Sequence, residues 1–355
     1  MGVSGYDDSE KKDAELSLND EASFSMNRLN ISLVPIFNGC EDMQLHRPRA
    51  MRTYMADKET SGRTSIVLRH RDVNMAQASS PESPSKLEFE DDFMHYYVVD
   101  GVRLPPFCRG KIQDIIEFPV RPDDVWILSY PRAGVWVQDL IYLLLQGGNL
   151  QETSISLETV EDAIPFLEGP SPGLETIKDL PSPRYIKSHL PFQLLPQGVQ
   201  EKQCKVIYIA RNPKDVMCSF YDFHRTVRMV HYKGTFNQFF YRFINNKLGY
   251  GSYFDHVLTF WKNRHHENVL FLKYEDVKKD FPAAVIQVAN FLDKPLGERA
   301  IKAINNYWDD EPLYNRKEDR VGFWRYYFTV HMNDKMNKLL PDKLKDADME
   351  FDYTI

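Results

Sequence analysis

The feature that most constrains the fold is a strand-like segment that runs into a tight loop and then into a helix. Val125–Ser129 is short and mostly apolar, which is typical of a buried strand. Tyr130–Gly134 interrupts that pattern with a proline and a glycine, as loops do. Trp136–Gln146 then repeats apolar residues at helical spacing, and Gly147-Gly148 follows where a helix C-cap would stand. The order predicts a strand, a loop and a helix.

This arrangement is suited to binding an anion. A loop between a strand and a helix can aim backbone N–H groups and the helix N-terminus at a phosphate or sulfate. Arg132 lies in the loop, where its guanidinium could add two charge-assisted hydrogen bonds to such a group. An ordinary turn with a solvated arginine would leave the same pattern, so both interpretations stay open at this point.

Charge and cysteine content narrow the function classes. The net charge of −7 argues against general nucleic-acid binding, which normally needs a basic face. No apolar run approaches the ~18–20 residues of a membrane span, and the N-terminus has no secretory pattern. The four cysteines include no pair at CxxC spacing, which favours reduced thiols over disulfides or a zinc site. We expect a cytoplasmic protein with no metal, nucleic acid or membrane partner.

The chain divides by composition into two parts. Residues 1–90 hold five of its 46 aromatic residues and are rich in serine and charged side chains. Such a segment buries too little apolar surface to offset the entropy of ordering it. The sequence predicts a disordered N-terminal extension over residues 1–90 and one folded domain over residues 93–355.

Strand-like and helical segments alternate within the domain. Besides the first strand, β-type runs occur at Arg184–Lys187, Lys205–Ala210 and Asn268–Lys273, and helical patterns begin near Val216 and Phe281. Alternation of this kind predicts an α/β fold in which a central parallel sheet is flanked by helices, with ligand groups at the strand ends.

Polar residues at these strand ends are candidates for the site. His189 follows the second strand directly and could act as a general base, since the pKa of histidine lies near working pH. Lys187, two residues earlier, should point to the same face. Arg211 ends the third strand, and Ser219, about one turn into the next helix, could help it hold a second anion. Tyr274 follows the fourth strand and could contact a base. Structural roles in the core or on the surface remain the alternatives.

Several familiar motifs are absent. The chain has no GxxxxGK[ST], GxGxxG, HExxH or GxSxG sequence. Ordinary P-loop NTPases, Rossmann dehydrogenases, zincins and α/β-hydrolases therefore lose most of their support, and a kinase-like nucleotide enzyme is a distant alternative.

Five segments, in order, resemble motifs of the cytosolic sulfotransferases. The loop Tyr130-Pro-Arg-Ala-Gly-Val-Trp136 resembles the family's Tyr-Pro-Lys-Ser-Gly-Thr-Thr-Trp. Lys187–Pro191 resembles Lys-Thr/Ser-His-Leu-Pro, and residues 210–219 resemble the 3′-phosphate segment. Tyr274-Glu-Asp276 fits as well, and Arg325–Asp334 resembles the family's dimer motif. Residues 101–111 and 247–252 look especially like the orphan brain-type branch, and the whole resemblance covers roughly residues 93–355.

The resemblance implies a sulfotransferase (P-loop-like) fold and a reaction. A sulfuryl group would pass from 3′-phosphoadenosine 5′-phosphosulfate (PAPS) to a hydroxyl or amine of a small acceptor. His189 would take the proton of the acceptor, Lys187 would stabilise developing charge, and Phe223 would help to wall the acceptor pocket. The dimer motif implies a homodimer through Arg325–Asp334. The positions that match cofactor-binding residues are Arg132, Gly134, Trp136, Arg211, Ser219 and Tyr274.

The chain also departs from the family pattern. Arg132 replaces the loop lysine, Ala133 and Val135 lack the family's hydroxyls, and the loop is one residue short. Near the C-terminus, Lys317-Glu-Asp319 stands where the family has Arg-Lys-Gly, and Trp308-Asp-Asp310 replaces Thr-Ser-Phe. A catalytically weak or inactive sulfotransferase-fold protein that acts by binding partners is therefore the second hypothesis.

Overall fold

A computed structural model describes residues 96–148, 157–227, 232–310 and 319–355 of the chain. The extension predicted over residues 1–90 lies outside this part, as do Lys317 and Glu318. The strands are β1 (Tyr97–Val99), β2 (Val102–Leu104), β3 (Val125–Ser129), β4 (Tyr185–Ser188), β5 (Lys205–Ala210) and β6 (Val269–Lys273).

Twelve α-helices are described in these ranges, together with three short 3₁₀ turns at Pro106–Cys108, Phe192–Leu194 and Phe323–Tyr326. The helices are α1 (Ile112–Ile116), α2 (Val135–Leu145), α3 (Leu157–Ala163), α4 (Leu174–Asp179), α5 (Gln197–Gln200), α6 (Pro213–Thr226), α7 (Phe236–Ile244), α8 (Tyr253–Lys262), α9 (Tyr274–Lys279), α10 (Phe281–Phe291), α11 (Glu298–Asp310) and α12 (Val330–Leu344).

The central sheet is parallel and has the strand order β4-β3-β5-β6. Its strands separate two apolar cores, because successive side chains of a strand point to opposite faces. Trp126 and Leu128 of β3 belong to the core that includes residues of α6, α7 and α8. Val125 and Ile127 belong to the core that includes residues of α2, α10 and α11. Helices thus cover both faces of the sheet, as the alternating sequence predicted.

A buried ion pair joins the starts of β3 and β4. Arg184 donates from Nε to Asp124 Oδ1 at 2.8 Å and from Nη2 to Oδ2 at 2.6 Å, and both side chains are fully buried. Two parallel bonds of this kind fix the relative position of the two strands. The ion pair lies at the N-terminal ends of these strands, whereas the candidate site residues lie at the C-terminal ends.

Most predicted boundaries lie within one residue of those observed, but the predicted start of α6 was wrong by three residues. The helix expected from Val216 begins at Pro213, because the side chain of Asn212 caps it by accepting a hydrogen bond from Asp215 N, and proline suits the first helical position. Ser219 consequently lies about two turns into α6 instead of one. Tyr274 also begins a separate helix, α9, at a place where the sequence analysis predicted no helix.

Candidate functional site

The loop between β3 and α2 rests directly on the neighbouring strand β5. Arg132 has a φ of 71°, in the left-handed region, so the loop turns sharply there. A Cβ at Gly134 would lie 3.0 Å from Cβ of Ile209, closer than side chains normally pack. Gly134 is therefore needed for the close approach of this loop to β5, and α2 begins immediately after it.

His189 is anchored through one ring nitrogen. Its Nδ1 lies 2.9 Å from the carbonyl oxygen of Ser129 at the end of β3, and 3.3 Å from the Ser129 hydroxyl. A carbonyl oxygen only accepts hydrogen bonds, so Nδ1 carries the hydrogen and Nε2 keeps its lone pair. This is the tautomer that a general base acting through Nε2 requires.

Electrostatics keep His189 neutral. Burial lowers its pKa to about 3; the bond to Ser129 opposes this shift, and the charges of Lys187, His256 and Arg132 add to it. The imidazole is therefore unprotonated across the neutral pH range.

Glu168 holds the backbone of His189 in place, and the sequence analysis did not predict this role. Its Oε1 accepts a hydrogen bond from the backbone N–H of His189 at 2.8 Å, and the side chain is fully buried. Burial raises the pKa of Glu168 to about 7 against the hydrogen bonds that lower it. The available signal was an acidic residue that ends the apolar run Ile164–Leu167.

A second support comes from α8. His256 donates from Nε2 to the carbonyl oxygen of His189 at 3.0 Å, and its Nδ1 accepts a hydrogen bond from the hydroxyl of Tyr208 at 2.8 Å. The main chain of His189 is thus held on both sides, by Glu168 at its N–H and by His256 at its carbonyl. Sequence reasoning had no signal that would join positions so far apart.

Lys187 lies on the same side of β4 as His189, as predicted from their spacing. Both contact the ring of Phe166, the ammonium at 5.5 Å and the imidazole at 5.3 Å from its centroid. The ammonium also donates to Glu161 Oε1 and Gln138 Oε1, each at 3.2 Å. These two partners were not foreseen.

The loop cation and the predicted phosphate-binding serine are neighbours. Arg132 donates from Nε to Ser219 Oγ at 3.1 Å, and its guanidinium lies 5.5 Å from the ring centroid of Phe223. The structure therefore brings the loop, the second turn of α6 and the predicted acceptor-pocket phenylalanine together, although these positions are some 90 residues apart.

Arg211 and Tyr274 form a second group with the C-terminal segment. The guanidinium of Arg211 is buried 4.4 Å from the ring centroid of Tyr274 and donates to the carbonyl oxygen of Arg320. The Tyr274 hydroxyl donates to the carbonyl oxygen of Asp319 at 2.6 Å. Burial alone would lower the pKa of Arg211, but Tyr274 and, after it, the nearby carboxylates, Asp319 among them, raise it above its ordinary value. Asp319 therefore attracts this arginine, where an anionic ligand would have to compete.

A buried carboxylate on α6 forms hydrogen bonds with the backbone of the C-terminal segment. Asp215 accepts hydrogen bonds from the backbone N–H groups of Gly322 at 2.9 Å and Trp324 at 2.8 Å. Glu275 in turn accepts from the backbone N–H of Asn212 at 2.7 Å, directly beside Arg211. These bonds fix the backbone on both sides of the Arg211 side chain.

The aromatic residues expected near an adenine pack against one another. The Trp136 ring makes edge contacts with those of Tyr274, Phe281 and Trp308, with centroids 6.2, 6.5 and 5.5 Å apart. Trp136 is 5% and Trp308 8% exposed. Trp308 thus packs against Trp136, one of the positions that match cofactor-binding residues.

Neither a metal-binding cluster nor a membrane-spanning helix occurs among the described residues. In this part of the chain, no cluster of three or more histidine, cysteine and acidic side chains is placed to hold a metal ion. None of its helices is long and apolar enough to cross a bilayer.

Comparison with known proteins assigns the family. A profile described as the sulfotransferase domain matches residues 122–348. Sulfotransferase 4A1 of Mus musculus is 46% identical over 286 residues, which covers 78% of this chain and 98% of the mouse protein. Sulfotransferase 1C2 of Homo sapiens is 33% identical over 279 residues, or 71% and 94% of the two chains. The chain belongs to the sulfotransferase family, as the motifs indicated.

Solved structures agree with this assignment. Retinol dehydratase in complex with retinol and PAP has a TM-score of 0.64 and 25% sequence identity, with 71% of this chain and 90% of that chain covered. Mouse sulfotransferase SULT7A1 complexed with PAP has a TM-score of 0.60 and 26% identity, covering 71% and 95%. The predicted α/β fold is confirmed.

Proposed function

We propose that the protein transfers a sulfuryl group from PAPS to a hydroxyl or amine of a small acceptor, with His189 as the general base. The observation that carries the proposal is the bond from His189 Nδ1 to the carbonyl oxygen of Ser129, which leaves Nε2 available beside Lys187. A base of fixed tautomer next to a cation fits a reaction in which an acceptor loses a proton while negative charge develops nearby.

The nucleotide would be held at two places. Arg132 and the loop around Gly134 would receive the 5′-phosphosulfate at the N-terminus of α2. Arg211 and Ser219 would hold the 3′-phosphate, with Trp136 and Tyr274 beside the base. One observation supports this fit. The indole N–H of Trp136 is buried without a hydrogen-bond partner among the described residues, so a bound nucleotide could supply the acceptor.

The chemistry asks little covalent work of the protein. PAPS supplies an activated sulfuryl group on a phosphate leaving group. The oxygen or nitrogen of the acceptor would bond to sulfur, and His189 Nε2 would take the proton that this atom loses. The bond from sulfur to the phosphate oxygen would break at the same time. Lys187 and Arg132 would stabilise the charge that accumulates on that phosphate oxygen, so catalysis rests on positioning and electrostatics. Phe223, beside Arg132, would wall the acceptor pocket.

A second candidate is a partner-binding protein with weak or no turnover. It is favoured by the contact between Trp136 and Trp308, because Trp308 packs against a residue proposed to lie beside the base. Ala133 and Val135 also offer no hydroxyl donor at the sulfuryl end of the loop. Because one lost donor at a developing charge typically costs about 10²–10³ in rate, we expect turnover at least about a hundredfold below an ordinary member.

A paired assay tests the proposal. Calorimetry with 3′-phosphoadenosine 5′-phosphate (PAP) measures binding, and transfer of radiolabelled sulfate to a panel of phenols and amines measures turnover. We expect weak binding and slow transfer that disappears in His189→Ala. Rebuilding the loop as Pro-Lys-Ser-Gly-Thr-Thr-Trp should raise transfer without changing the acceptor preference. Absence of PAP binding in both the native and the rebuilt protein would reject sulfuryl transfer in favour of partner binding.

We further propose a cytoplasmic homodimer that contacts itself through Arg325–Asp334. Two apolar side chains in this segment are strongly exposed, Tyr326 at 63% and Val330 at 80%. A symmetric contact would cover them in both copies. No nucleic-acid or membrane partner is part of the proposal.

A further inference from the structure

The ammonium of Lys187 is shared between two oxygen atoms from two different helices. Glu161 on α3 forms an ion pair with it at 3.2 Å, and Gln138 on α2 accepts a hydrogen bond at the same distance. The side chains of Lys187 and Glu161 are 11% and 26% exposed. This is a largely buried ion pair, so water screens it less than a surface pair.

The pair lies next to the place where the nucleotide would bring its negative charge. Gln138 is the fourth residue of α2, one turn after Gly134, so the ammonium sits beside the first turn of that helix. The loop and the N-terminus of α2 both favour an anion there. Among the described residues, Glu161 is the carboxylate within 4.0 Å of Lys187.

We propose that Glu161 is a positioning residue that acts through Lys187 and competes with the donor nucleotide for it. Without nucleotide, the Glu161 carboxylate neutralises the ammonium and holds it against α2. When the nucleotide binds, Lys187 has to exchange this carboxylate for an oxygen of the phosphosulfate. The loss of the ion pair with Glu161 lowers the net affinity for the nucleotide. This inference rests on the proposed function, because it requires a nucleotide at the loop.

The proposal predicts that removing the charge of Glu161 strengthens nucleotide binding. Glu161→Gln keeps the shape of the side chain and an oxygen that accepts a hydrogen bond, so Lys187 stays in place but loses its counter-ion. We expect PAP to bind about two- to fivefold more tightly in calorimetry, the range typical of a single ion pair that stays partly exposed. The KM for PAPS should fall by the same factor while kcat changes less than about twofold, because the interaction is lost before the chemical step.

Matched variants separate this effect from simple charge removal. Glu175→Gln makes the same change on α4, at a side chain that is 88% exposed and paired with Lys178, and should leave PAP affinity unchanged. Glu161→Asp should retain most of the native affinity. In a double-mutant cycle, Glu161→Gln should have no effect on PAP binding when Lys187 has been replaced by methionine, because the ammonium for which Glu161 and the nucleotide compete is then gone.

The outcomes distinguish the two proposals. If PAP binds to the native protein but Glu161→Gln binds it no more tightly, this inference fails and the proposed function stands. Equal tightening with and without Lys187 would show a long-range charge effect and would also overturn it. If no variant binds PAP, both fail together. Melting temperatures of all variants, measured without nucleotide, exclude misfolding as the cause of any change.

Discussion

The indole of Trp308 stacks on the ring of Phe281, with centroids 4.0 Å apart and an interplanar angle of 14°. The stack fixes Trp308 edge-on to Trp136, which matches one of the family's cofactor-binding positions. The ammonium of Lys278 lies 4.7 Å from the Trp308 ring centroid and adds a cation–π contact. The protein thus provides its own aromatic partner for Trp136.

Trp308→Ala should open this part of the site. We expect PAP to bind at least about fivefold more tightly, since the base no longer has to displace an indole, while the protein loses about 3–5 kcal/mol of stability. Calorimetry and denaturant unfolding measure the two effects. The control is Met336→Ala in α12, a fully buried site that should lose stability without any change in affinity. Weaker PAP binding in Trp308→Ala would mean instead that the indole itself carries the base.

His189 should control turnover but not nucleotide binding. We expect His189→Ala to lower sulfuryl transfer by at least about a hundredfold, the typical loss of a general base, with PAP affinity within about twofold of native. Because the pKa of His189 is lowered to about 3, the base stays deprotonated, and kcat should be nearly constant from pH 6 to pH 8. A tenfold fall in kcat on acidification through pH 6.5 would contradict the lowered pKa, because a base with the ordinary pKa of histidine gives that profile. A native rate in His189→Ala would contradict the assignment of the base.

Glu168 should make stability depend on pH near neutrality. Its pKa is raised from the ordinary 4.5 to about 7, so the folded state binds the proton more tightly than the unfolded chain does. The stabilisation is complete below the unfolded value and is lost as pH rises through about 7. Relative to Glu168→Gln, the native protein should therefore lose about 2 kcal/mol between pH 5.5 and pH 8.

Urea unfolding of both proteins at the two pH values measures this difference. Glutamine can still accept the hydrogen bond from the backbone N–H of His189, so Glu168→Gln should fold. A stability difference that does not change with pH would show that the native carboxyl is already ionised throughout this range.

The exposed valine at the start of α12 tests the homodimer. Native protein at micromolar concentration should give about twice the chain mass of 41.6 kDa in light scattering. Val330→Glu should give the monomer, because the two-fold axis would bring the new charges together. An acidic residue also suits the first turn of a helix, so the variant should fold. Val98→Glu, at a 61% exposed valine in the β1–β2 hairpin, should remain dimeric. A native monomer would reject the contact.

Much of the central sheet could be predicted because buried parallel strands are nearly continuous apolar runs. Val125–Ser129 and Lys205–Ala210 match the predicted strands residue for residue. The short helix Tyr274–Lys279 could not be predicted in the same way. It is six residues long and owes its position to packing against β6 and α10, so its local pattern is weak.

The candidate site could be predicted only in part. The positions of His189, Lys187 and Arg211 follow from the rule that side chains at the ends of parallel strands meet at one edge. What each of them touches does not follow from that rule. The approach of Glu161 to Lys187 and the hydrogen bond from His189 N–H to Glu168 depend on the pairing of Phe166 with Lys187 beside β4, and no local pattern specifies that pairing.

The histidine that would do the chemistry takes its orientation from a main-chain carbonyl at Ser129. A carbonyl belongs to the strand itself, so no side-chain substitution at that position removes the acceptor. A point mutation at Ser129 therefore leaves the acceptor that orients the imidazole in place, whereas a point mutation in the loop can remove a side-chain donor. A lineage with this fold could lose the hydroxyls of the loop and keep a correctly aimed base, and it could also regain transfer by restoring the loop alone.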